Sequence, residues 1–190
     1  LFMAYIVYRT MYPDAWVESS QELNVMMGGI NTAVLICSSL TMVLAVRAAQ
    51  TGSRAGQIVN LILTILLGST FLVIKYFEYK AKFDHGLVPG PHWDPHQVVA
   101  DGSLARVALP FGSQIFFSLY FIMTGIHAVH MVVGIGLMTV ILVMSWKGKF
   151  SPEYYGPVEI SGLYWHFVDI IWIFLFPLLY LLGFHLGHAA

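Results

Sequence analysis

His127 and His130 lie one helical turn apart inside one apolar run, and His166 and Asp169 do the same inside another. Imidazoles on two membrane helices can hold a haem iron between them. Ionisable groups in hydrocarbon can also line a proton or ion pathway, or hydrogen-bond neighbouring helices together. Residue type and spacing admit all three: a bis-histidine haem between His127 and His166, a pathway, or an interhelical polar network.

Further residues belong with these. Glu159, Gly162, His166, Asp169 and Ile173 recur at steps of three and four, which places them on one helical face. Trp165 and Trp172, seven apart, share a different stripe. Lys75 and Glu78 are one turn apart and can pair, with Lys82 also in reach of Glu78. That cluster reads as an interfacial ion pair or as a site for a lipid headgroup or partner. Asn31, Thr32, Ser38, Ser39 and Thr41 add amide and hydroxyl groups to an earlier run.

Depth supports the network. If the embedded part of the run holding His127 spans Ile115 to Met138, His127 lies roughly 16 Å and His130 roughly 12 Å from the inner surface. Counted inward from Glu159, His166 lies at roughly 10 Å and Asp169 at roughly 15 Å. His127 is then level with Asp169, and His130 with His166. Gly125 and Ala128 would admit a neighbouring helix closely. The expectation is a network built on these two pairs, with Glu159 at its inner edge.

The elements that must position these groups follow from composition. Of 190 residues, 58% are hydrophobic and 10% charged, against about 25% charged in soluble domains. The chain reads as one all-α, polytopic transmembrane bundle over residues 1–190. Five apolar runs define its helices, at about 1–11, 23–46, 58–79, 109–146 and 160–184. The first, LFMAYIVY onward, reads as a helix cut at its front. The other four exceed the roughly 20 residues that a span needs. Pro177 inside the last is expected to kink it. Aromatic residues, 15% of the chain, suit rings anchored at membrane interfaces. A net charge of −1 gives no basic footprint for nucleic acid.

Arg47, Arg54, Lys147 and Lys149 crowd two short connections, which places those inside and the C-terminus outside. The loop 81–108 is then outer and aqueous. Its His92 and His96 have metal-like spacing, but Pro95 opposes a helix and no third ligand is fixed. Cys37, the single cysteine, reads as a small core residue.

Longer stretches carry a family resemblance. YWHFVDIIWIFLFPLLY resembles the last-helix signature of subunit III of the haem–copper oxidases, and TGIHAVHMVVG resembles that family's His-x-x-His segment. FEYKAKF looks like its Glu-Tyr stretch, INTAVLICSSLTM like its Asn-Thr…Ser-Ser helix, and FMAYIVYRTMYPDAW like the end of an earlier helix. The five-run layout resembles the short bacterial form, and the loop after FEYKAKF is longer than in the mitochondrial form.

The resemblance implies a noncatalytic subunit in a bacterial inner membrane. It would carry no haem, copper or other cofactor of its own, pack on catalytic subunit I, bind phospholipid and support proton uptake. Glu78, His127, His130, Glu159, Trp165, His166 and Asp169 match the family's signature positions, and the resemblance assigns them to helix packing and lipid binding. Rival expectations are an accessory subunit of a related nitric oxide reductase, and a cytochrome b with haem between His127 and His166.

Overall fold

A computed structural model of the chain describes residues 1–90 and 109–181, together with the backbone of residues 96–98 and 104–106. Six helices are described: α1 (Phe2–Met11), α2 (Pro13–Gln21), α3 (Val25–Gln50), α4 (Arg54–Asp84), α5 (Ser113–Trp146) and α6 (Gly156–Tyr180). Two short strands, β1 (His96–Val98) and β2 (Leu104–Arg106), pair antiparallel between α4 and α5. The expected all-helical bundle is present, with six helices in place of five and a small ribbon inside the expected outer loop. The His92 and His96 side chains, and residues 182–184 of the last apolar run, lie outside the described residues.

The added helix is α2, in the connection between the first two apolar runs. Pro13 occupies the start of α2, where a missing N–H costs nothing, and Asp14 lies in its first turn beside the positive helix end. At nine residues it is too short for apolar periodicity to mark it. It is held instead by Trp16, 1% exposed, whose ring stands edge-on to Tyr5 at 5.9 Å and to Phe116 at 5.5 Å.

Four helices, α3 to α6, are long and apolar enough to cross a membrane, so the chain is a multi-pass membrane protein. Only 28–39% of the residues in their most apolar stretches are buried within the chain. The remaining apolar surface is what lipid or partner helices must cover. Helices α3, α4 and α6 extend past an end of their apolar runs because backbone hydrogen bonding continues past the oil until a breaker intervenes. Gly52 (φ +73°) closes α3 and Gly86 (φ +66°) closes α4, while Gly112 (φ +105°) delays α5 until Ser113. Left-handed backbone at these positions suits glycine. Helix α6 continues through Pro177 to Tyr180.

The described chain forms two compact units. One holds residues 1–28, 75–125 and 175–190, the other 29–74 and 126–174. In the first, α1 and α2 pack with the end of α4 and the start of α5. Phe116, Phe117 and Tyr120 are fully buried there.

In the second unit, α3 and α6 run antiparallel. Trp172 Nε1 donates to Thr32 Oγ1 at 3.1 Å, and Trp165 Nε1 donates to Ser38 Oγ at 3.1 Å. Thr41 and Thr64 hydroxyls meet at 2.8 Å and tie α3 to α4. Trp165 is fully buried against backbone at Gly68 and Gly134, where an added Cβ would fall 2.7 and 2.9 Å from its ring. The close approach expected at Gly125 is therefore made elsewhere, since a Cβ there would meet only Tyr79 Oη, at 3.8 Å. Cys37 is exposed, not core: it lies on the outer face of α3.

Arg54 caps the C-terminal end of α5. Its guanidinium donates to the carbonyls of Ser145, at 3.1 Å, and Trp146, two of the acceptors that a helix end leaves open. We expect Arg54→Ala to lower stability by about 1 kcal/mol, read as a small drop in the thermal midpoint of the purified protein. An unchanged midpoint would show that water serves those carbonyls equally well.

Candidate functional site: polar clusters within the membrane helices

The first unit contains a buried ion pair. Lys75 Nζ donates to Glu78 Oε2 at 2.7 Å, and the two residues are 5% and 3% exposed. Tyr120 Oη donates to Glu78 Oε1 at 3.0 Å, and Tyr180 Oη donates to the same oxygen. Lys75 Nζ also donates to Tyr180 Oη at 2.6 Å. Side chains from α4, α5 and α6 thus converge on one carboxylate and occupy both of its oxygens. The expected Lys75–Glu78 pair is present, but enclosed by tyrosines instead of lying open at an interface. Lys82, also buried, donates to the Glu22 carbonyl. Tyr120 and Tyr180 carried no sequence signal, because an isolated tyrosine in an apolar run is commonplace.

In the second unit the histidines separate. His127, 3% exposed, lies between the Phe71 ring, edge-on at 5.4 Å, and the Trp172 ring, tilted at 5.2 Å. Phe71 and Trp172 themselves meet edge-on at 4.9 Å. His130 is exposed and turns to Tyr164. Its Nδ1 lies 3.1 Å from Tyr164 Oη, which also lies 3.2 Å from the His130 carbonyl. Both contacts hold together when Nδ1 carries the proton and the phenol donates to the carbonyl.

His166 bonds across to α3, with Nδ1 2.7 Å from Ser39 Oγ. Asp169, 3% exposed, also turns toward α3, and its carboxylate oxygens make no hydrogen bond of ordinary geometry to a described residue. The Ser39 hydroxyl is close enough to hydrogen-bond to it. The two pairs expected from depth, His127 with Asp169 and His130 with His166, are therefore not hydrogen-bonded. The difference is one of azimuth, the direction in which each side chain leaves its helix. His166 and Asp169 face α3, and Tyr164, two residues before His166, is the one that faces His130.

Glu159, His166 and Asp169 share a groove along α3 and α6. Its deeper part, about 420 Å³, is lined by Leu35, Ser39, Leu40, His166, Asp169 and Ile173 among others. An adjoining part toward Arg47, about 450 Å³, is lined by Arg47, Gln50, Glu159 and His166 among others. The predicted one-face stripe of α6 is thus this groove's wall. Trp165, on the other stripe, is core.

A multi-pass helical membrane protein with polar clusters buried between its spans is the class defined by this geometry. Comparison with known proteins narrows it. The family profile for cytochrome c oxidase subunit III matches residues 104–184. The chain is 34% identical over 166 residues to cytochrome c oxidase subunit 3 of Corynebacterium diphtheriae, covering 87% of this chain and 70% of that protein. It is 32% identical over 183 residues to the subunit 3 of Synechocystis, covering 96% and 68%. It is 33% identical over 162 residues to quinol oxidase subunit 3 of Bacillus subtilis, covering 85% and 68%. The chain belongs to the cytochrome c oxidase subunit III family.

Proposed function

We propose that this chain is a noncatalytic subunit of a proton-pumping haem–copper terminal oxidase in a bacterial plasma membrane. It packs on catalytic subunit I, holds phospholipid against its apolar faces and supports proton uptake by the complex. Haem and copper belong to the partner subunits. The observation that carries the noncatalytic part is the separation of His127 from His166. One imidazole is wedged between Phe71 and Trp172, and the other is turned to Ser39. A bis-histidine haem needs both rings aimed at one iron.

The remaining signature residues serve packing: Glu78 joins three helices, Trp165 fills the core, and His130 ties α5 to α6 through Tyr164. Glu159, His166 and Asp169 line the groove that partner or lipid occupies. Lysine and arginine at the α3–α4 and α5–α6 connections support an outer C-terminus. Relatives named for cytochrome c and for quinol leave both electron donors within this reading.

The test is purification of the chain with and without its native complex. The complex should consume oxygen and contain a larger haem-bearing subunit, while the isolated chain should show no Soret absorbance. A Soret band in the isolated chain that disappears in both His127→Ala and His166→Ala would overturn the noncatalytic reading.

A further inference from the structure

The α3–α4 and α5–α6 connections meet at one end of the second unit, and the fold groups three cations there. Arg54 opens α4 and lies against Gly148, where an added Cβ would fall 3.2 Å from its Nη1. Lys147 and Lys149 flank that glycine, and both are exposed. Arg54 donates through Nε to the Ser145 carbonyl, at 3.1 Å, and through Nη2 to that of Trp146. Its Nη1 keeps two N–H groups for a further acceptor. None of the three cations forms an ion pair among the described residues.

These groups lie at headgroup depth. Ser38, Gly68, Gly134 and Trp165 share one level, tied by the indole N–H bond to Ser38 and by the ring's contact with both glycines. Ser38 is 13 residues from the start of α3 and 12 from its end, so that level is the middle of the span. Trp146 is 12 residues past Gly134, roughly 18 Å along α5, against about 15 Å for half the hydrocarbon thickness. Trp146, 71% exposed, therefore stands where an indole prefers to lie, between acyl chains and headgroups. Val143 and Val140, one and two turns back, are exposed and carry its apolar face toward the membrane centre.

We propose that Arg54, Lys147 and Lys149 bind the phosphate of an anionic phospholipid, with an acyl chain along Trp146, Val143 and Val140. Cations that only orient the chain during insertion need no particular grouping. Here the Arg54–Ser145 bond joins positions 91 residues apart and sets one connection's cation beside two from the other. The open edge of the guanidinium suits a phosphate oxygen. A zwitterionic headgroup brings its own cation, so three unpaired cations select a lipid of net negative charge. A protein partner suits them less, because lysine is depleted in protein interfaces. The inference rests on the reading of the chain as a subunit that holds phospholipid, and it names the class of lipid and the residues.

The experiment uses the intact complex in nanodiscs of equal phosphatidylglycerol and phosphatidylcholine. An aromatic photo-crosslinking amino acid is placed at Trp146, or at exposed Ile160 beside Glu159 in the first turns of α6. Adducts are identified by mass spectrometry. At Trp146, phosphatidylglycerol adducts should exceed phosphatidylcholine adducts by about fivefold, the preference that one basic side chain supplies at an anionic surface. At Ile160 they should not. Equal adducts of the two lipids at Trp146, the same preference at Ile160, or adducts at Trp146 to protein alone, whether another subunit or this chain, overturn the proposal.

Lys147→Gln combined with Lys149→Gln should bring the ratio at Trp146 toward one, while Lys147→Arg combined with Lys149→Arg should keep it. The parent complex gives a check free of any loss of folding or change of orientation in a variant. Raising salt from about 0.05 to about 0.5 M should shrink its preference, because exposed charges are screened. A ratio that neither salt nor the glutamine pair moves counts against the proposal. If the purified complex contains no oxidase subunit, the functional reading fails and the lipid result stands. If those subunits are present and the ratio is one, only this inference fails.

Discussion

Glu78→Leu is expected to destabilise the protein by about 3–5 kcal/mol, the cost of breaking a buried ion pair from one side. The carboxylate sits 2.7 Å from the Lys75 ammonium and accepts hydrogen bonds from Tyr120 and Tyr180. Its removal leaves a cation in a site built to neutralise it, and strips two buried phenols of their acceptor. Since those phenols come from α5 and α6, the damage should spread across three helices. The double variant Lys75→Met with Glu78→Leu should recover most of the loss, because an apolar pair of similar bulk carries no charge to desolvate. Thermal unfolding of the purified protein in detergent measures both. If the single variant melts with the parent, the cluster is solvated and the enclosure described here is wrong.

Trp165→Ala is the second large effect, again about 3–5 kcal/mol. The indole is fully buried, its N–H bonded to Ser38, its ring faced by the backbone of α4 at Gly68 and of α5 at Gly134. In a membrane the loss is chiefly of close packing and one hydrogen bond, since lipid is as apolar as the core. Neighbouring helices held apart by other side chains cannot collapse fully into the gap. Trp165→Phe should cost much less, near the roughly 1 kcal/mol of the indole hydrogen bond. The two variants together separate volume from polarity. Equal melting of both would mean that the ring's bulk contributes little.

A His127–Asp169 pair would make Asp169 matter as the partner of that imidazole. The structure changes that reason. Asp169 makes no hydrogen bond to His127 and instead lines the α3–α6 groove beside Ser39 and His166.

Legibility varied with the kind of signal. Long apolar runs marked all four spanning helices, because a span must be oily for about 20 residues whatever its neighbours. The three- and four-residue steps of Glu159, His166 and Asp169 correctly put Glu159, His166 and Asp169 on one face of α6, since helical periodicity is a local property. Helix α2 escaped, though Pro13 and Asp14 were available as its start signal. The partners escaped too. Ser39 for His166, Tyr164 for His130 and Phe71 with Trp172 for His127 are all ordinary residues whose roles depend on which helix stands beside which.

By itself, then, the sequence determined that the chain crosses a membrane, where its spans lie, which faces carry polar groups and which family it joins. Those properties depend on composition, periodicity and motif order along one dimension. Only the tertiary structure decided the pairings, because depth along a helix axis says nothing of rotation about it. One residue of sequence turns a helical side chain by about 100°, enough to exchange a neighbouring imidazole for a hydroxyl on another helix. That rotation is set by the packing of Trp165 and Trp172 into the core, which leaves His166 and Asp169 facing α3.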